Sequence, residues 1–215
     1  MQVKTFQGGF DKNLSYLIWC DKTKYAGLID ASVEPLEIFE FIESHNLILE
    51  KILITHTHHD HIHYLSDFLY KYPMMNVYLH SNPINKPNSF IPLEHNQVIT
   101  IGNSLFTTLH TPGHFADSVC FWNKEEHLIF TGDTIFIGRT GRTVSNHSDI
   151  NDLYDSVYNI IFSIPEETMI LPGHHYGYSQ KETLRFNKEN SKFFQCNDKN
   201  EFKKVMENFE KNRKK

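Results

Sequence analysis

His56, His58, Asp60 and His61 fall within six consecutive positions of ITHTHHDHIHY, residues 54–64. Three imidazoles and a carboxylate at that density are costly to hold together unless something satisfies their donors and acceptors. Neutral imidazole nitrogens beside an ionised carboxylate suit zinc, iron and neighbouring borderline metals. The plainer alternative is a solvated histidine-rich loop, because 14 histidines in 215 residues make accidental clusters more frequent. The setting favours the metal. KILIT, residues 51–55, reads as a buried strand, and strand ends are where α/β proteins place their chemistry.

Three more apolar runs end in the same way. Residues 105–109 lead into His110-Thr111-Pro112-Gly113-His114, residues 128–132 into Asp133, and residues 169–173 into His174. A glycine before each ligand lets backbone approach closely or take unusual dihedrals. The four strand ends supply seven candidate ligands: His56, His58, Asp60, His61, His114, Asp133 and His174. That exceeds one tetrahedral zinc shell and divides between two adjacent ions. A strictly extended chain sends His56 and His58 to opposite faces, so a turn is expected there. Asp133 is the best bridging candidate, since one carboxylate offers an oxygen to each of two cations. Without a metal, His114 would be a buried hydrogen-bonded imidazole and Asp133 a cap. His110 reads as a supporting or structural residue. His59, His63, His80, His95, His127, His147 and His175 are weaker candidates, although His175 can line the cleft.

The elements that must position these groups alternate. Residues 14–20 and 25–29 form an expected hairpin, followed by a helix over 35–45 whose apolar face is Leu36, Phe39, Ile42 and Ile38. Strand 52–55, helix 63–72 and strand 77–80 continue a β-α-β-α-β order. Residues 82–94 read as a surface loop. A hairpin over 98–101 and 104–110, strands 118–122 and 127–131, a helix over 149–162 and a last strand over 168–171 follow. The tail is expected to be helical over 181–189 and 201–209. Two sheets packed face to face with helices outside bury these runs better than an open parallel sheet, because tight hairpins imply antiparallel pairs.

Composition bounds the partners. The chain is 40% hydrophobic and 22% charged, with 21 Lys and Arg against 26 Asp and Glu. That balance discourages a nucleic-acid footprint. No run reaches the length of a membrane helix, and no basic-then-apolar secretory leader is visible at the start. Cys20, Cys120 and Cys196 lack close-pair spacing, which points to reduced thiols and a cytoplasmic setting. Cys20 and Cys120 are expected to be buried and Cys196 exposed. The basic tip after residue 201 is either a helix end matched to its dipole or a binding tail.

THTHHDH at 55–61, TPGH at 111–114, TGD at 131–133 and PGHHYG at 172–177 resemble the metallo-β-lactamase superfamily, above all its glyoxalase II and persulfide dioxygenase branches. The resemblance spans residues 10–195 and implies an α/β, four-layer αβ/βα sandwich with metals at one edge. It implies a catalytic domain over 1–195 and a helical C-terminal extension over 196–215. In the two-metal branch His56, His58 and His114 would hold one divalent ion, and Asp60, His61 and His174 the other, with Asp133 bridging. Zn²⁺ is the first choice, with Fe²⁺ or a Zn/Fe mixture as alternatives. In the persulfide dioxygenase branch His56, His114 and Asp133 would hold a single Fe²⁺.

The resemblance also implies a substrate and a mechanism. A metal-bound hydroxide oriented by Asp60 and Asp133 would attack a thioester such as S-lactoylglutathione; the alternative is oxidation of a thiol persulfide by O₂. Either substrate is a small thiol derivative, with no nucleic acid or membrane partner, and the sequence leaves oligomeric state open. Gly141-Arg142-Thr143 matches a loop that follows the bridging aspartate in both branches, although Val144 stands where an aspartate is usual. Arg142 would meet a substrate carboxylate, or else pin residues 138–143. Tyr176 would contact the same substrate, and Arg139 is a further anion contact. Only 41 residues follow His174, fewer than in the helical domain of full-length glyoxalase II. The tail over 178–194 looks more like the persulfide dioxygenase ending.

Overall fold

The computed structural model describes residues 1–213; Lys214 and Lys215, the end of the basic tip, lie outside the described residues. Fourteen strands and five α-helices run along the chain. The first six strands are β1 (Gln2–Gly8), β2 (Asn13–Trp19), β3 (Tyr25–Ile29), β4 (Ile48–Leu53), β5 (Asn76–His80) and β6 (Ile91–Leu93), paired in that order in one sheet. The second sheet comprises β7 (Val98–Ile101), β8 (Ser104–His110), β9 (Val119–Asn123), β10 (Leu128–Gly132), β13 (Met169–Pro172) and β14 (Glu182–Thr183). Between β10 and β13, β11 (Ile135–Phe136) and β12 (Arg139–Thr140) form a small ribbon. The helices are α1 (Pro35–Ser44), α2 (Leu65–Lys71), α3 (Ile150–Asp155), α4 (Leu184–Asn190) and α5 (Lys199–Arg213).

Strand alternation sorts the apolar side chains into layers. Leu14, Tyr16 and Ile18 of β2 meet Phe106, Phe121 and Phe130 of the second sheet, whereas Leu17 faces α1 and α2. On the second sheet Phe130 points inward, and Ile129 points toward the layer of α3, α4 and α5. The result is helix, sheet, sheet, helix. This is the four-layer αβ/βα sandwich expected of the sequence.

Several local expectations need correction. β1 had no clear sequence pattern because it is an edge strand whose only buried residue is Phe6. β6 lies within the expected surface loop; its middle residue is Pro92, which lacks an amide proton and masks a three-residue edge strand. In α1 the buried positions are Ile38 and Ile42, four apart, while Leu36 faces solvent. The helix expected over 149–162 loses α geometry after Asp155, passing through a wider π turn at Ser156–Ile160. Cys196 is buried, with its thiol donating to Lys192 O and its amide to Tyr158 Oη at 2.8 Å. Polar neighbours in sequence hid that position because Phe202 and Met206 of α5 pack in the same cluster.

Candidate metal centre

The ends of β4, β8, β10 and β13 bring all seven candidate ligands to one edge of the sandwich. β4 ends at Leu53; His56 to His58 then run irregularly into a 3-10 turn at His59–His61. His58 has φ −60° and ψ 145°, a polyproline-like conformation rather than a tight turn. His56 Nε2 lies 3.0 Å from His58 Nδ1, which is 3.0 Å from His114 Nε2.

Donor atoms within 4.8 Å of one another form three overlapping groups: His56, His58 and His114; His56, His61 and Asp133; Asp60, His61 and His174. Asp133 stands in the middle, its carboxylate oxygens 3.3 Å from His61 Nε2, 3.4 Å from His174 Nε2 and 3.5 Å from His114 Nε2. Two glycines make this convergence possible. Gly132, at φ +47°, lies against Thr55, where a Cβ would come within 2.4 Å of the hydroxyl. A Cβ on Gly173 would sit 2.5 Å from Asp133 Oδ1.

The outward-facing nitrogens fix which atoms face the centre. His61 Nδ1 donates to Asp30 Oδ2 at 2.8 Å, His114 Nδ1 to Arg142 O at 2.8 Å and His174 Nδ1 to Asp11 O at 2.9 Å. These oxygens only accept, so each Nδ1 carries a hydrogen and each Nε2 faces the centre, where the neutral ring presents a lone pair to a cation. His56 Nδ1 lies 3.2 Å from Thr55 Oγ1, whose own proton goes to Asp30. Asp133 Oδ1 is buried and accepts no hydrogen bond among the described residues, although His61 Nε2 is near. Ring nitrogens converging around an unsatisfied buried carboxylate oxygen fit a divalent cation.

Electrostatics divide the donors. Burial pushes His56 well below its ordinary pKa, with His61 adding to the effect, and burial beside His114 takes His58 down to about 4. Burial lowers His114 as well, against the pull of Asp133. At His61 and His174 burial opposes the charged form and is overcome. Asp133 and Asp30 raise His61, and Asp133 with Asp60 lifts His174 to about 10. Burial likewise disfavours charge on both aspartates, yet His174 and His61 hold Asp60 and Asp133 below the usual carboxylate range. One side offers neutral nitrogen donors, the other attracts positive charge, and both suit a cation.

A cavity of about 280 Å³ opens beside these residues, and Arg139, Arg142 and Tyr176 also line it. Tyr176 stacks on His174 with ring centroids 4.8 Å apart and donates its hydroxyl to Asp11 at 2.8 Å. Arg142 has a partner of its own: Nε and Nη2 each donate to a Glu210 carboxylate oxygen at 2.6 Å, tying the loop to α5. Arg139 lies 4.0 Å from the Tyr176 ring centroid, and its buried Nε has no hydrogen-bond partner among the described residues.

The sequence reading missed the residues that hold the ligands. Asp30 follows β3 and accepts from Thr55 N, Thr55 Oγ1 and His61 Nδ1. Asn13 donates to Asp60 at 2.9 Å. A strand ending in an acid was the available signal for Asp30; Asn13 had none.

The sequence matches the metallo-beta-lactamase superfamily over residues 8–174. Over 181 residues it is 38% identical to a hydroxyacylglutathione hydrolase of Francisella tularensis subsp. novicida (strain U112), covering 82% of this chain and 68% of that relative. The fold superposes on ETHE1 from Myxococcus xanthus with a TM-score of 0.86 and 27% identity, covering 97% of this chain and 91% of that one. TTHA1623 in a di-iron-bound form superposes with a TM-score of 0.77 and 27% identity, covering 89% and 100% of the two chains. The chain belongs to the metallo-beta-lactamase superfamily, in its glyoxalase II and persulfide dioxygenase-like branch.

Proposed function

We propose that this protein is a two-metal hydrolase that cleaves a thioester of the hydroxyacylglutathione type. The observation that carries the reading is the meeting of seven inward-facing donors with a cavity that Arg139, Arg142 and Tyr176 also line. The name of the Francisella relative supports the substrate class. Zn²⁺ is the first candidate, and the di-iron form of TTHA1623 makes Fe²⁺ or a mixed pair the alternative. His56, His58 and His114 would hold one ion and Asp60, His61 and His174 the other, with Asp133 between them. Bound there, the ions would supply Lewis acidity and bring the pKa of water toward neutrality.

The chain's own groups do the rest. Asp60, steadied by Asn13, and Asp133 would orient the attacking water by accepting its hydrogen bonds. Arg139 would offer donors to a substrate carboxylate across the cavity. Tyr176 would bound the same space with its ring. Arg142 would serve through Glu210, holding α5 as a wall, and through any donor left for substrate. We assign the catalytic unit to residues 1–195 and treat 196–215 as an extension, of which Cys196, Phe202 and Met206 pack on that unit. The three cysteines are free, which suits a reducing, cytoplasmic setting, and no described helix is long and apolar enough to cross a membrane.

A second reading is oxidation of a thiol persulfide on one Fe²⁺ held by His56, His114 and Asp133. One observation favours it: ETHE1 accompanies this chain over 97% of its length, including the ending that resembles persulfide dioxygenases. S-lactoylglutathione hydrolysis and persulfide-dependent oxygen uptake, measured on the same zinc- and iron-loaded samples, separate the two. Hydrolysis is expected. Oxygen uptake with iron and no hydrolysis with either metal would reverse the assignment.

The substrate wall has its own test. Arg139→Ala should raise KM on the order of tenfold, the loss of roughly one charge-assisted hydrogen bond, and leave metal content unchanged. An unaltered KM would remove Arg139 from the substrate site.

A further inference from the structure

Thr57, between two candidate ligands, is 1% exposed, so its peptide groups cannot be satisfied by bulk water. Thr57 lies outside helix and strand, so its amide and carbonyl need partners from elsewhere in the chain. Both are provided. Thr57 N donates to Asp117 Oδ1 at 3.2 Å, and Asn85 Nδ2 donates to Thr57 O at 2.6 Å. The Thr57 hydroxyl donates to Asp117 Oδ2 and accepts from Asn85 N at 2.9 Å. Ile84 N closes the set with a 2.9 Å bond to Asp117 Oδ2.

We propose that Asp117 and Asn85 are positioning residues that clamp the Thr57 peptide from both sides, hold His56 and His58 convergent, and so set the affinity of one of the two metal positions. This rests on the two-metal reading above. Asp117 is itself 1% exposed and lies three residues beyond His114, on the same loop. It therefore joins the two chain segments that supply His56, His58 and His114. The other group is held independently: Asp30 fixes His61, Asn13 fixes Asp60 and Asp11 O fixes His174. A clamp on one group and not the other has a consequence that a general fold tether lacks. Its loss weakens one ion and spares the second.

The test is a Zn²⁺ titration of chelator-stripped protein in competition with a chromophoric chelator, with melting of the stripped protein measured alongside. For Asp117→Ala, one of two dissociation constants should rise about 10- to 100-fold, as for other residues that orient metal ligands, while the other stays within about threefold. Asn85→Ala, at an exposed loop position, should shift the same constant by a smaller factor and decides the matter if Asp117→Ala does not fold. Equal weakening of both constants, or a lowered melting temperature with both unchanged, would reduce Asp117 to a loop tether and overturn the inference. A wild-type protein that binds no Zn²⁺ or other transition metal would overturn the metal-centre reading, and this inference with it.

Discussion

Asp133→Ala should remove stable two-metal occupancy and lower kcat/KM for thioester cleavage by on the order of 10³-fold. Asp133 is the one carboxylate within 3.5 Å of inward-facing nitrogens from three separate strand ends, His61, His114 and His174. Without it, two like-charged ions would face each other with no negative charge between them. A loss of about 4 kcal/mol of transition-state stabilisation, within the range attributed to catalytic metals, corresponds to that factor. Metal content and steady-state kinetics measured on one preparation check it. Two ions retained with near-normal turnover would show that Asp133 does not bridge.

The second large effect lies one layer outside the ligands. Asp30→Asn should lower stability by about 3 kcal/mol and weaken metal binding tenfold or more. Asp30 is 1% exposed and its carboxylate accepts from Thr55 N, Thr55 Oγ1 and His61 Nδ1. An amide turns its NH2 either toward Thr55 N or toward Thr55 Oγ1 and His61 Nδ1, and each way leaves at least one buried hydrogen without an acceptor. Asparagine tolerates the left-handed backbone at this position, φ +56°, so the loss reports the missing carboxylate rather than strain. For a chain of this length the change amounts to a fall in Tm of roughly 6–12 °C, read on chelator-treated protein. A Tm within a degree or two of wild type would contradict the account.

The candidate ligands were legible because metal chemistry restricts them to a few residue types and the fold restricts them to strand ends. His56, His114, Asp133 and His174 each follow an apolar run, and Gly132 and Gly173 mark backbone that must pass close to the site. The sheets were legible for a related reason: β2 and β10 are apolar on both faces, as strands inside a sandwich must be. β1 and β6 were not, since edge strands bury little and Pro92 breaks the pattern.

Residues that orient the ligands left little trace. Asp30, Asn85 and Asp117 are ordinary polar residues in connecting segments, and their partners lie 25 to 60 positions away in the chain. Arg142 illustrates the same limit. Its place in Gly141-Arg142-Thr143 left a substrate contact and a loop clamp both open, and the carboxylate it pairs with belongs to Glu210, 68 residues later on α5. Sequence spacing identifies a site through the chemistry it must contain. It does not reveal which charges the fold has already paired.

The most direct test of the central claim is metal analysis of protein purified without chelator, with stoichiometry read against protein concentration. Close to two equivalents of transition metal per chain, zinc, iron or both, are predicted for the wild type. Protein that is folded and free of stoichiometric transition metal, and that takes up none on incubation with Zn²⁺ or Fe²⁺, would contradict the assignment of His56, His58, Asp60, His61, His114, Asp133 and His174 as a metal centre.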